Sequence, residues 1–179
     1  KINKSASTAI HVDGGKGTVK KNTIKTTLAG DGILVSGGAK ISRITKNKIS
    51  STKENGIEIT GKSSVKYIGE KKDTGNTVEK AGTNGIYLKE GVSVSNVFYN
   101  TVKSSKSANI STEKTKGTLN IANNTLTSAK NQGIRVLNTK VKITDNKISK
   151  AVSYGIYLDG KNVNATVKNN TIDTVSKGN

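Results

Sequence analysis

Cysteine is absent from the 179 residues, so neither a disulfide framework nor a thiolate metal site exists in this chain. Aromatics are almost as scarce, with five tyrosines and one phenylalanine. Arginine occurs twice, as Arg43 and Arg135. Sequence-specific nucleic-acid readers use arginine for paired contacts to bases and aromatics for stacking, so that role is not expected. No apolar run approaches the length that crosses a bilayer, so membrane insertion is not expected either. The chain opens Lys-Ile-Asn-Lys-Ser, and no signal peptide is visible. Only 31% of the residues are hydrophobic, which is poor for a globular core. Lysine, by contrast, is abundant and brings the formal charge to +18. The lysines are scattered along the whole chain. They read as a solvated coat that discourages strand edges from pairing, or as an attraction for a polyanion such as an acidic polysaccharide or teichoic-type polymer.

One asparagine recurs. Asn22, Asn47, Asn76, Asn100, Asn124, Asn146 and Asn170 are each followed two residues later by Ile, Val or Leu, at spacings of 22 to 29 residues. A fixed period in the twenties is the mark of a solenoid, whose narrow interior needs only short rows of Ile and Val. A second motif, Gly followed by apolar-x-apolar, recurs half a turn away. It begins at Gly32, Gly56, Gly85, Gly133 and Gly155, with weaker members at Ala9–Val12 and Ser107–Ile110. This alternation reads as a short strand with two inward side chains and one outward. The glycine suits a corner that needs either positive φ or close backbone approach.

A third alternating pair precedes each asparagine by five and three residues: Gly17/Val19, Ser42/Ile44, Ser95/Val97, Leu119/Ile121, Val141/Ile143 and Ala165/Val167. The Asn76 repeat departs from this pattern and is the longest, so residues 70–75 are expected to be an inserted loop. Three strands per repeat predict an all-β fold, a single-stranded right-handed parallel β-helix of about seven turns. At about 4.8 Å per turn the rod would be about 35 Å long. Its asparagines would stack in a ladder at a sharp corner, whose left-handed conformation asparagine tolerates. The leucine-rich repeat shares part of the asparagine template. It fits less well, because the chain has seven leucines and the other half of each repeat is a Gly-led strand.

Gly-Ile-x-(Ile/Leu/Val) together with Ile-x-x-Asn-x-Ile resembles the repeats of the pectin-lyase-like superfamily. That group spans pectate lyases, polygalacturonases, mannuronan epimerases, and NosD-like and surface-protein arrays. The resemblance covers almost the whole chain and implies the fold. It says little of function, because the matching residues are structural. Lys1-Ile2 falls in the register of Lys147-Ile148, and Ser176–Asn179 aligns with Ser153–Ile156. Residues 1–179 are therefore expected to form one segment of a longer β-helical protein, flanked by further turns of its parent.

In the enzymes of that group, substrate lies along the outer face of the strand that here follows the glycine. The outward positions read His11, Leu34, Glu58, Tyr87, Asn109, Arg135 and Tyr157, with Asp31, Asn55, Asn84, Gln132 and Tyr154 beside them. Tyr87, Asn109, Gln132, Arg135, Tyr154 and Tyr157 form a candidate glycan-binding strip. Tyrosine rings stack on sugar faces, while Asn, Gln and Arg bond hydroxyls or carboxylates. The alternative is that tyrosine is simply favoured on exposed strands. His11, Asp13, Asp31 and Glu58 make a second cluster, read as ordinary surface. Calcium-dependent lyases of the group carry several acids in this column, whereas here Glu58 is alone. No catalytic residue, metal site or cofactor is assigned. The expected role is a rigid scaffold of a secreted or cell-surface protein that contacts acidic glycans. The alternatives are a polysaccharide lyase or epimerase, and a purely structural stalk or fibre.

Overall fold

The computed structural model describes residues 1–89 and 91–176 of the chain. Its strands form three seven-stranded parallel sheets, each taking every third strand of the chain. The chain therefore coils, visiting the three sheets in the same order on every turn. The Gly-led sheet contains Ile10–Asp13, Ile33–Ser36, Ile57–Ile59, Ile86–Leu88, Ile110–Glu113, Gln132–Leu137 and Tyr154–Asp159. The second sheet runs from Lys16–Lys20 to Asn164–Lys168, and the third from Thr23–Ile24 to Thr171–Val175. Ile2 pairs with Ile24 ahead of the first full turn. Glu90 and Lys177–Asn179 are outside the described residues, including the approach to a next Gly-led strand that Ser176–Asn179 was expected to make.

Stacking like on like builds the core. Ile33, Ile57, Ile86, Ile110, Ile134 and Ile156 share one column in the Gly-led sheet. Ile24, Ile49, Val78, Val102, Leu126 and Ile148 share another in the third sheet and are fully buried. Each such side chain contributes about 1.5–3 kcal/mol by leaving water. A rod one side chain thick is thus held with few apolar residues. On the last turn Leu158, Val167 and Ile172 are exposed.

The glycines that open the first sheet's strands have ordinary negative φ, and close approach is what requires them. A Cβ on Gly56 would overlap both the Val78 side chain and the Gly85 carbonyl oxygen. The ladder asparagines likewise lie outside the left-handed region. The residue before six of the seven takes it instead: Lys21, Lys46, Tyr99, Asn123, Asp145 and Asn169 have φ of 54–59°, while Gly75, before Asn76, does not. The asparagine is thereby free to turn its amide along the rod.

Two registers differ from the sequence reading. In the second sheet the inward pairs are Ile41/Ile44 and Val94/Val97, with Ser42 and Ser95 outside. Each of these strands carries an extra residue, and Val65/Ile68 follow the same three-residue spacing. A bulge of this kind turns an i, i+2 pair into i, i+3. In the Gly-led sheet, Ser111 lies opposite Tyr87 and Arg135, so Ser111 and not Asn109 occupies the outward column. Asn109 takes the place of the corner glycine and is buried, its Nδ2 donating to the Thr127 carbonyl at 3.2 Å.

Between Ile68 and Thr77 the chain leaves the coil, spanning residues 69–76 where the other turns use two. Gly69 and Gly75 lie flat on the next turn. A Cβ on either would overlap the Phe98 or Tyr99 carbonyl oxygen. The excursion is tied down by Arg43, which donates to both carboxylate oxygens of Glu70 at 2.8 and 3.2 Å. Lys46 faces Asp73 at 3.9 Å, and the Lys71 N–H donates to Thr74 Oγ1 at 2.7 Å.

Candidate functional site

The outer face of the Gly-led sheet is polar at one end and aromatic at the other. On the first turns Ser36 Oγ donates to Asp13 Oδ1 at 2.9 Å, which leaves His11 Nε2, 2.8 Å away, as the donor to Ser36. Next comes a buried network. The Asn55 N–H donates to Asp31 Oδ1 at 2.8 Å, and Asn55 Nδ2 donates to Glu58 Oε2 at 2.6 Å. Glu58 Oε1 pairs with Lys89 Nζ at 3.0 Å. Burial, helped by the charge of Glu58, pushes the Asp31 carboxyl up to about 6. The hydrogen bond with Glu58 holds Lys89 above the ordinary lysine range.

These acids do not suit a calcium ion of the kind the lyases use. Both oxygens of Glu58 are engaged by protein donors, and Asp31 is buried and resists ionisation. Among the described residues no three His, Cys, Asp or Glu side chains are grouped to hold a metal.

From Asn55 a second polar ladder climbs the corner ahead of the glycines. The N–H of Asn84 donates to Asn55 Oδ1 at 3.1 Å, and that of Ala108 to Asn84 Oδ1 at 3.2 Å. Each donor here points back to the preceding turn, whereas the seven-asparagine ladder donates forward. Neither the second ladder nor its direction is visible in the sequence, where Asp31, Asn55 and Asn84 read as positions beside the outward column.

Further along, Thr60, Gly61, Lys62, Tyr87, Lys89 and Glu113 line an open groove of about 460 Å³. Tyr87 donates to Glu113 Oε2 at 3.2 Å, and Lys89 Nζ lies 5.7 Å from the centre of its ring. Burial and the charge of Glu113 raise the Tyr87 hydroxyl above its usual range. Two turns on, Arg135 lies beside Tyr157, and Gln132 beside Tyr154. The Tyr154 and Tyr157 rings are 5.3 Å apart, inclined by 35°.

The face thus brings Arg135, Tyr154 and Tyr157 together. Gln132 is buried beneath them, Tyr87 is separated from them by Ser111, and Asn109 is not on the face. Lys62 and Glu113, which the strip omitted, share the groove with Tyr87. The signal for the shifted register was Ile110-x-Thr112, an apolar position filled by a buried threonine.

A family model described as right handed beta helix region matches residues 8–172. The chain belongs to the right-handed β-helix family. Neither the curated proteins nor the solved structures contain a match to this β-helix.

Proposed function

We propose that this β-helix is a rigid, non-catalytic scaffold of a secreted or cell-surface protein, and that its Gly-led face binds acidic glycans. The observation that carries this reading is the Tyr154–Tyr157 pair with Arg135 on the adjacent strand. The two neighbouring, mutually tilted rings offer apolar surface to a pyranose face, and the guanidinium offers a fork to its carboxylate. The groove at Tyr87 and Lys89 extends the same face toward the middle of the rod. The turn spacing of about 4.8 Å is comparable with the length of one sugar residue, so a chain laid along the rod meets equivalent positions in sequence. The charge of +18 draws a polyanion to the surface.

Calorimetric titration with a polyuronate checks this. Tyr157→Ala and Arg135→Gln should each weaken binding about tenfold, equivalent to about 1.4 kcal/mol. Unchanged affinity in both variants would defeat the reading. Release of unsaturated, ultraviolet-absorbing products would replace the scaffold with a lyase.

A further inference from the structure

The excursion between Gly69 and Asn76 changes what the opposite corner of the rod can do. Lys72, on the insertion, joins Tyr99, Thr101, Asn123, Asn124, Thr125, Asp145 and Lys147 around a recess of about 420 Å³. The recess lies beside the asparagine ladder, between the second and third sheets. It is therefore remote from the Gly-led face.

Three observations point to a ligand there. First, the insertion forms a held wall, fixed by the Arg43–Glu70 and Lys46–Asp73 pairs and by the Lys71–Thr74 hydrogen bonds. Second, Tyr99 adopts φ of 55°. Lysine, asparagine or aspartate takes that conformation before the ladder asparagine on five other turns, and a bulky aromatic there is a steric outlier. Strain of this kind collects where function requires a particular side chain. The Tyr99 ring is fixed edge-on against Phe98, 82° between planes, and its hydroxyl has no hydrogen-bond partner among the described residues. Third, Lys72 and Lys147 form no ion pair among the described residues, although Asp145 lines the same recess.

We infer that this corner is a second binding site, for one or two anionic pyranose units. The strained Tyr99 ring takes the sugar face, and the ammonium groups of Lys72 and Lys147 take the carboxylate or sulfate. Asp145 and the Asn123 amide take hydroxyls. The recess spans the turns that carry Tyr99, Asn123 and Asp145, about 10 Å along the rod, which suits two residues of a glycan chain. The site stands independently of the Gly-led face.

Amide chemical-shift mapping of the labelled protein tests this, with a diuronide, a sulfated disaccharide and a neutral disaccharide as probes. The diuronide or the sulfated disaccharide should move the amides of Asn123, Asn124, Thr125 and Lys147; whichever binds more tightly identifies the anionic group. Tyr99→Asn keeps a residue at ease in the left-handed corner, as Asn123 and Asn169 already are. It should retain the fold and abolish these shifts. Lys147→Gln should weaken them about tenfold.

Deleting residues 70–74 joins Gly69 to Gly75 and restores the three-residue step from the inward Ile68 to Asn76 that Ile44 to Asn47 and Val97 to Asn100 keep, so it too should remove the site without unfolding the rod. Tyr157→Ala should leave the corner untouched. The inference fails if neither anionic probe moves the corner amides, or if Tyr99→Asn leaves their shifts unchanged. It also fails if the neutral disaccharide binds there as well as the anionic ones. Loss of the Tyr157 face with the corner intact would count only against the function proposed for that face.

Discussion

At the scale of single residues, the chain places unusual demands on a few positions and leaves the rest interchangeable. Asp31 is one. Its carboxyl is buried, accepts the Asn55 N–H, and holds its proton to about pH 6. Below about pH 4 both folded and unfolded chains keep that proton, and no stability is lost. Between pH 4 and 6 the unfolded chain ionises first, so the folded state loses ground, and above 6 the loss is constant. Asp31→Asn keeps the acceptor and removes the charge. Urea midpoints should therefore be similar for variant and parent at pH 4 and diverge in the variant's favour by pH 7. A difference that does not change with pH would show that Asp31 is not the group responsible. In the sequence this residue reads as ordinary surface, because nothing in Asp-Gly-Ile reveals that the preceding corner folds inward.

At the scale of elements, the asparagine ladder is one continuous chain of hydrogen bonds from Asn22 to Asn170. Asn124 shows its form. Its N–H and Nδ2 donate to Asn146 Oδ1 at 3.0 and 2.9 Å, and Nδ2 also reaches the Val97 carbonyl at 2.8 Å. Its own Oδ1 accepts from the Asn100 N–H and Nδ2 at 2.9 and 3.1 Å. One side chain thus ties three turns together. Asn124→Ala would strand a buried N–H on Asn100 and a carbonyl on Val97, costing about 2–4 kcal/mol. Asn22, a half-exposed rung, should cost less when changed to alanine. Equal losses in thermal or urea unfolding would contradict this account.

The ladder was legible because an asparagine with one apolar partner recurs at every turn. The strands were legible only in outline. A three-residue strand such as Ile86–Leu88 carries too little alternation to fix its register alone. Asn109 in a glycine's place was enough to shift Ser111 out of view, and the extra residues at Ser42 and Ser95 shifted the inward pair. The left-handed corner is expected at the asparagine, but on six turns it belongs to the residue before, which alternates among lysine, asparagine, aspartate and one tyrosine and so leaves no single signature.

For the whole molecule, lysine sets the response to salt. The charge of +18 is spread along a thin rod, so like charges repel across neighbouring turns. Raising ionic strength from low salt to about 0.5 M shortens the screening length to a few ångströms and relieves that repulsion. The melting temperature should rise, while affinity for a polyuronate should fall over the same range. Parallel changes in both would mean that screening acts through something other than the lysine coat.

The short backward-donating ladder also bears on chemical ageing. Asn55-Gly56 and Asn84-Gly85 are the type of dipeptide that, in a free chain, cyclises and deamidates most readily. Here Asn55 Oδ1 accepts from Thr83 and Asn84. The glycine nitrogens that would attack are bonded to the Asn84 and Ala108 carbonyls. A turn that stays closed keeps both asparagines intact. Aspartate accumulating at positions 55 and 84 would therefore serve as a clock, recording how often those turns have come open.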